Sequence, residues 1–388
     1  MVLKEPAERN RMVAYGYLAY LIRVSPPHRP RELHRLSSVG EHGVDLLASI
    51  EAELNHIGKG FHQNPGLAEG FRKHSHDVRG RSIFIRLRRG PVGNPGETFD
   101  IESEESNETG QTTALLSELR AGIYVPRDSY WGFLFVERIG GRHLKDLLQN
   151  RIFRPVSLST QMGVRVEAFA LTDDWRKELA GKQVLRVTEV LEQVDSGHDP
   201  STADDLTVRV SAEGAGLSSR GDDLKARIFD VLDRRHLEYR KLAEIAPLEQ
   251  RRMIWAEKTK RDGSTVVQRK KAPRSAFTVS DEAEWEALVA EIEAARTGAA
   301  NDDLMDELQE LLPVNRDEYE SRRVEVSFGE QRPEKTFVVA GDRVPQLVYE
   351  FKGWLTDAEL RQAWDATAEQ FLRGLGVNLP SGWPLEDK

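Results

Sequence analysis

An α+β fold of two domains, with antiparallel sheets and packed helices, is what this sequence predicts. Three observations point to it. Short runs of alternating apolar and polar residues, bounded by Gly, Pro and Asp turns, recur as strands. Longer stretches with apolar residues three and four apart read as helices. The two kinds come in clusters, without the strict strand and helix alternation of a parallel α/β sheet.

The first strand runs over Met12 to Val24 and stops at Ser25-Pro26-Pro27, where proline ends ladder pairing. Val39 to Ile57 reads as a helix with Val44, Leu47, Ile50 and Leu54 at helical spacing. Ser82 to Arg88 alternates Ile83, Ile85 and Leu87 against Ser82, Phe84, Arg86 and Arg88. With the turn from Gly90-Pro91 to Pro95-Gly96, it predicts a hairpin returning over Phe99 to Ser103, with one wet, basic face. Leu115, Leu116 and Leu119 suggest a short helix. Trp131 to Ile139, nearly continuous in apolar residues, predicts a buried strand, followed by a helix near Leu144 to Leu148.

A domain boundary is placed near Pro155, giving residues 1–155 and 156–388. Beyond it, Val164 to Leu171, Val184 to Leu191 and Leu206 to Ala212 suggest one antiparallel sheet. A helix follows over Asp222 to Leu242, with two acids at its positive end. Ser280 is the predicted cap of a helix over Asp281 to Arg296, with the stripe Trp285, Leu288, Val289 and Ile292. A further helix is predicted over Asp302 to Leu312, then strands over Val324 to Phe328 and Thr336 to Ala340. The closing helix opens on the capping-box pattern Thr356-Asp357-Ala358-Glu359 and lays Leu360, Trp364, Thr367, Phe371 and Leu375 on one face, expected to be core.

Composition bounds the function. A chain of 388 residues is long enough for two or three domains. The absence of cysteine excludes disulfide frameworks, thiol nucleophiles and thiolate metal sites, and fits a reducing compartment. No apolar run approaches membrane-spanning length, and the charged start Met1 to Arg11 has no signal-like core, so a cytoplasmic location is expected.

Charge is distributed unevenly. The net formal charge is −9, yet Arg234 to Arg274 holds thirteen Arg and Lys against five acids. The block from Asp281 to Glu310 reverses the sign, with eleven acids against Arg296 alone. A basic segment inside an anionic protein suits phosphate binding, because counterion release drives sequence-independent affinity for nucleic acid. The acidic block is then a candidate internal mask. The bland alternative is a set of solvated helix faces.

Arg227, Arg234 and Lys241 are seven apart, one helix stripe at intervals of about 10 Å. Asp230 and Glu238 stand where ordinary surface pairs form with them. Arg251, Arg252, Lys258, Lys260, Arg261, Arg269, Lys270, Lys271 and Arg274 continue the basic run. Around Asp262-Gly263 they predict a basic β-hairpin whose contacts would be mainly to phosphate. A second basic set comprises Arg72, Lys73, Arg79, Arg81, Arg86, Arg88 and Arg89. Neither set has the spacing of a sequence-reading motif.

Signals for catalysis are weaker. His74-Ser75-His76-Asp77 offers metal-ligand side chains with no further ligands at matching spacing, and reads better as a solvated turn. Asp342 with Glu350 and Lys352 mimics the acid, Glu-x-Lys order of a magnesium-dependent nuclease. Gly140-Gly141 lacks the rest of any phosphate loop, and there is no GxSxG. No catalytic residue, metal ligand or cofactor is assigned.

Several stretches, in order, resemble the RexA phage-exclusion proteins of temperate phages. They are Tyr15-Gly16-Tyr17-Leu18-Ala19-Tyr20, Ser82-Ile83-Phe84-Ile85 with Thr98-Phe99-Asp100-Ile101, Gly132-Phe133-Leu134-Phe135-Val136-Glu137, and Val164-Arg165-Val166-Glu167-Ala168. Val324 to Phe328, Thr336-Phe337 and the helix Ala358 to Leu375 complete the series. The resemblance implies a two-domain homodimer that binds double-stranded DNA without sequence preference. It further implies action with a small multi-pass membrane protein (RexB-like), no catalytic residues, and a distant likeness to the DNA-encircling RdgC. The chain is longer than the family member of bacteriophage lambda, with added material near Arg29 to Gly66 and Glu244 to Asp306, where the basic hairpin and the acidic block largely fall, so the resemblance does not vouch for either.

Overall fold

In the first strand, β1 (Tyr15–Ser25), apolar residues occupy both parities, so both faces must be covered. The computed structural model covers them. It describes residues 15–63, 69–93, 96–99, 106–110, 114–181, 183–193, 207–213, 221–259, 265–273, 277–299, 319–329, 335–339, 347–380 and 382–385.

The strands following β1 are β2 (Phe61–Gln63), β3 (Glu69–Arg79), β4 (Ser82–Pro91), β5 (Gly96–Phe99), β6 (Ser106–Thr109), β7 (Ser117–Tyr124), β8 (Gly132–Ile139) and β9 (Gly163–Ala168). Then come β10 (Gln183–Gln193), β11 (Thr207–Glu213), β12 (Met253–Thr259), β13 (Thr265–Lys271), β14 (Tyr319–Gly329), β15 (Lys335–Val339) and β16 (Val348–Phe351). The helices are α1 (Leu46–His56), α2 (Lys145–Leu148), α3 (Arg154–Thr160), α4 (Thr172–Leu179), α5 (Gly221–Arg252), α6 (Val279–Ala299) and α7 (Asp357–Gly374); a π turn, Gln149–Phe153, joins α2 to α3.

The main sheet runs β16-β1-β8-β7-β4-β3-β2, all antiparallel. β1 pairs with β8 on one side; on the other, β16 takes Tyr15 to Leu18 and β9 takes Tyr20 to Ser25. Tyr17, Ala19, Leu21, Phe84, Phe133 and Phe135 face one core with Trp175 of α4, the apolar stripe of α5, and Trp364 and Phe371 of α7. Leu18, Tyr20, Ile22, Ile83, Ile85, Leu134 and Val136 face a second core under α1, α2 and α3. The predicted α+β class and the antiparallel sheet are present. A division at Pro155 would run through this one sheet, because β9, β16 and α7 lie beyond it. Pro155 itself sits at the start of α3, directly after the π turn that continues α2.

Several local expectations are corrected. The first helix begins at Leu46, capped by Asp45, whose carboxylate accepts from the Leu47 N–H at 2.8 Å. Val44 is instead bridged to Val39. β4 returns from β3, not into Phe99 to Ser103; β5 and β6 form their own ribbon. The two-residue turn Gly80-Arg81 makes that hairpin. Gly80 has φ +52°, and a Cβ there would collide with the Pro384 carbonyl. The predicted wet face of β4 holds only from Arg86 outward, since Phe84 is 4% exposed. Leu119 lies in β7, not in a helix: Leu119, Ala121 and Ile123 pack into the sheet, and strand pairing overrides leucine's helix preference.

Beyond Pro155, β9 belongs to the main sheet, whereas β10 and β11 join β14 and β15 in a separate sheet ordered β11-β10-β14-β15. α5 continues past Leu242 through Pro247 to Arg252 because Ile245, Ala246 and Leu248 remain buried. Thr278, not Ser280, starts α6: its hydroxyl accepts from the Asp281 N–H while Asp281 Oδ2 accepts from the Thr278 N–H. The capping box of α7 is formed as predicted, and its stripe is core. The predicted helix from Asp302 to Leu312 lies outside the described residues.

Candidate nucleic-acid interface

α5 carries the predicted cationic stripe, and α6 lies against it in the opposite direction. Apolar packing sets that arrangement: Leu288 and Ile292 are buried in the core that also holds Leu242 and Ile245, and Trp285 Nε1 donates to Glu249 at 3.0 Å. The acids of α6 thereby meet the cations of α5. Lys241 Nζ lies 2.8 Å from both Glu244 and Glu291, and these bonds raise its pKa. Arg251 reaches Asp281 at 2.9 Å. Arg252 stands 3.9 Å from Glu282, with its guanidinium 3.6 Å over the Trp285 ring. In the other direction, Arg296 of α6 is held by Glu238 at 2.8 Å. Arg234 pairs with Asp230 within α5 at 2.7 Å, and Arg227 is exposed.

The predicted basic hairpin exists as β12 and β13. Thr259 faces Thr265 at the closed end and Met253 faces Lys271 at the open end. Lys270 and Lys271 are exposed, and no carboxylate among the described residues pairs with either. The ladder sets Trp255 opposite Arg269 and Lys258 opposite Val266, so Arg269 and Lys271 share one parity while Lys258 and Lys270 share the other. As neighbours in one strand, Lys270 and Lys271 therefore fall on opposite faces of the hairpin. Lys260, Arg261 and Arg274 lie outside the described residues.

The second basic set is largely consumed by the fold. Arg81 is 5% exposed; it clamps Asp45 at 2.7 and 3.2 Å and donates to the Val125 carbonyl at 2.7 Å. Its assignment to DNA is corrected on that ground, because a guanidinium buried under an N-cap cannot reach a phosphate. Arg86 pairs with Asp357 at 2.7 Å, Arg88 with Glu118 at 3.3 Å, Arg89 with Glu69 at 2.6 Å and Arg79 with Asp77 at 2.9 Å. Lys73 is buried, donating to the Leu54 carbonyl, and burial followed by neighbouring Lys59 lowers its pKa. Arg72 donates to the Lys59 carbonyl at 3.0 Å.

Two arrangements escaped the sequence reading. Arg120 of β7 is buried and holds Glu137 of β8 through Nη2 at 2.5 Å and Nε at 3.0 Å. Its Nη1 donates to the Leu355 carbonyl and to Asp357, which ties the start of α7 to the sheet. The available signal was Arg120 set between Leu119 and Ala121, and Glu137 directly after the apolar run Gly132 to Val136. The second arrangement is a cleft of about 220 Å³ between the β3–β4 turn, β7, α7 and the 382–385 segment. There Arg79 Nε and Arg361 Nη2 both donate to the same Asp77 oxygen, each at 2.9 Å. The Arg361 guanidinium stacks 3.9 Å over Phe84, and Tyr124 donates to Asp365 at 2.6 Å. Burial raises the Asp365 pKa; burial, and then Arg79, lower that of Arg361.

His74 meets Glu118 at 3.1 Å, and no group of three His, Asp or Glu among the described residues is placed to hold a metal. Of the nuclease-like trio, Glu350 and Lys352 are exposed at the end of β16 and Asp342 lies outside the described residues. No helix among the described residues is long and apolar enough to cross a membrane. No protein-family model matches the chain, and no curated protein or solved structure is detectably similar to it.

Proposed function

We propose that this chain binds double-stranded DNA without sequence preference, through the β12–β13 hairpin, as part of a phage-exclusion system. The observation that carries the reading is the contrast between Lys270 and Lys271, exposed with no described carboxylate partner, and the α5 cations Arg234, Lys241, Arg251 and Arg252, each held by an acid. Cations left open to solvent retain the condensed-counterion exchange that drives phosphate binding. The ordered resemblance to RexA supports the same reading and adds a homodimer acting with a small multi-pass membrane protein. Its matching stretches fall mostly in core strands and in α7, so they speak for the fold and not for the hairpin.

Fluorescence anisotropy with labelled duplexes across a salt series tests it. Two unrelated sequences should bind alike, and Lys270→Glu with Lys271→Glu should weaken both and reduce the slope of log affinity against log salt by about 2. An unaltered slope removes the hairpin from the interface. Magnesium-dependent plasmid cutting that disappears in Glu350→Ala would replace the binding reading with a nuclease.

A further inference from the structure

Beyond the N-terminus of α7, the main sheet is open on its α7 side. The registers Phe61 to Arg72, Arg72 to Arg88 and Arg88 to Glu118 set one row across β2, β3, β4 and β7, and residues directly opposite in a ladder point to the same face. Arg86 opposite Arg120 makes the next row, since residues two apart share a face. Only with Phe84, two residues further along β4, does the core under α7 begin. Two aromatic rings stand on the open part, and of the Phe and Trp side chains described these two alone are exposed. Phe61, 46% exposed, rests the tip of its ring over Gly70, where a Cβ would stand 2.1 Å from it. Trp354, 58% exposed, has the Arg120 guanidinium 4.5 Å from its ring centroid. That guanidinium is pinned by Glu137, Asp357 and the Leu355 carbonyl, so one face of the indole is held and the other is left to solvent.

The charges between the rings leave one cation over. Arg86 and Arg120 share Asp357, Arg120 also holds Glu137, and Arg88 meets Glu118 at 3.3 Å. Arg72 is exposed, donates to the Lys59 carbonyl, and has no carboxylate partner among the described residues. Like charges directly opposite in a ladder are destabilising, so Arg72 facing Arg88 carries a cost that an anion above them removes. Open rings with a small cation excess suit unpaired bases, which offer a π-face that the stacked bases of a duplex do not. The backbone positions of Phe61 and Arg120 lie about 14 Å apart, three strand spacings, so the two rings meet different bases of one strand.

We propose that this sheet face binds single-stranded nucleic acid, with one base stacked on Phe61, another on Trp354, and the intervening phosphates over Arg72 and Arg88. The site differs from the duplex-binding hairpin in both place and ligand.

Fluorescence anisotropy of the full chain tests this with labelled oligo-dT and oligo-rU of about 15 nucleotides, beside an abasic strand of equal length and a duplex. At least one of the two single strands should bind saturably, the abasic strand should bind more weakly, and the better of the two says whether the face takes DNA or RNA. Phe61→Ala and Trp354→Ala should each weaken single-strand binding at least ~5-fold and leave duplex binding unchanged. Trp354→Phe, which keeps a ring over Arg120, should retain most of the binding, separating lost stacking from a disturbed Arg120. Arg72→Gln should reduce the single-strand salt slope by about 0.7. The losses in the ring variants should be the same in a Lys270→Glu/Lys271→Glu background, so the hairpin and the sheet face stand or fall separately. The proposal is overturned by no saturable single-strand binding up to about 1 mM, by an abasic strand that binds equally, or by ring variants that bind like the parent. A Trp354→Ala chain that loses self-association in sedimentation, with a parent that ignores single strands, would make this face a contact between copies and overturn it too.

Discussion

Removing acids from α6 should strengthen DNA binding. Glu282 and Glu291 face Arg252 and Lys241, and each acid is about half exposed at the side chain, 54% and 52%. Changing both to Gln keeps shape and helix propensity while releasing two cations. Exposed pairs are worth roughly 0.2–1 kcal/mol each, so the fold should survive, held by Leu288, Ile292 and the Trp285 bond to Glu249. If both released cations reach phosphate, the salt slope steepens by about 1.8, and the double variant gains roughly tenfold over the parent between about 200 and 50 mM salt. Glu244 retains a hold on Lys241, which makes this an upper bound. Anisotropy with one duplex across that salt range measures it, and adding Lys241→Gln and Arg252→Gln should cancel the gain. An unchanged slope in the Glu282→Gln/Glu291→Gln variant would mean that these acids are ordinary surface partners and that α5 never meets DNA.

Two further outcomes test the fold that positions these surfaces. Glu137→Leu should cost up to about 3–5 kcal/mol in denaturant unfolding because it leaves the buried Arg120 guanidinium with part-exposed Asp357 as its remaining counter-charge, and adding Arg120→Met should recover much of that loss; a double variant as weak as the sum of its singles would show that the pair is not coupled. His236 is buried, with Nε2 2.9 Å from the Ala170 carbonyl and Nδ1 3.2 Å from the Thr172 hydroxyl, and burial lowers its pKa. Above the ordinary imidazole value of 6.5 both states are neutral and this contribution is complete. As pH falls below that value the unfolded chain takes the proton first, so stability drops by up to about 1.4 kcal/mol per pH unit. Measured between about pH 7 and pH 5, His236→Gln should have a shallower acid slope than the parent, and an identical slope would refute the assignment.

The strands most legible in the sequence were those buried on both faces. β1 and β8 announce themselves as apolar runs because no parity is left for water. β3 did not: Glu69 to Arg79 is mostly polar, and it becomes a strand through pairing with β4 across Gly80-Arg81, a long-range fact that its composition does not carry. β7 was misread for the same reason, since Leu115 and Leu116 suggest a helix until β4 and β8 supply partners on both sides. The capping box of α7 was readable because it is local, Thr356 and Glu359 satisfying each other three residues apart. The cleft was not, because Asp77, Phe84, Tyr124 and Arg361 converge from β3, β4, β7 and α7 at separations no window spans.

Counting charge along the chain also misjudges where potential survives. Between Arg234 and Arg274 the count gives eight surplus cations, but α6 brings Asp281, Glu282 and Glu291 to bear on three of them through space. Within a few ångströms a carboxylate cancels most of the field that a phosphate would feel several ångströms further out, and at physiological salt whatever remains decays over about 8 Å. Affinity should therefore follow the number of unpaired cations on one accessible surface, not the number in one segment. On the hairpin, Lys270 and Lys271 are unpaired among the described residues but fall on opposite faces of β13, so both count only for a polyanion that reaches round the strand. A net charge of −9 is therefore no obstacle to the proposed phosphate binding, which needs only a local surplus of unpaired cations.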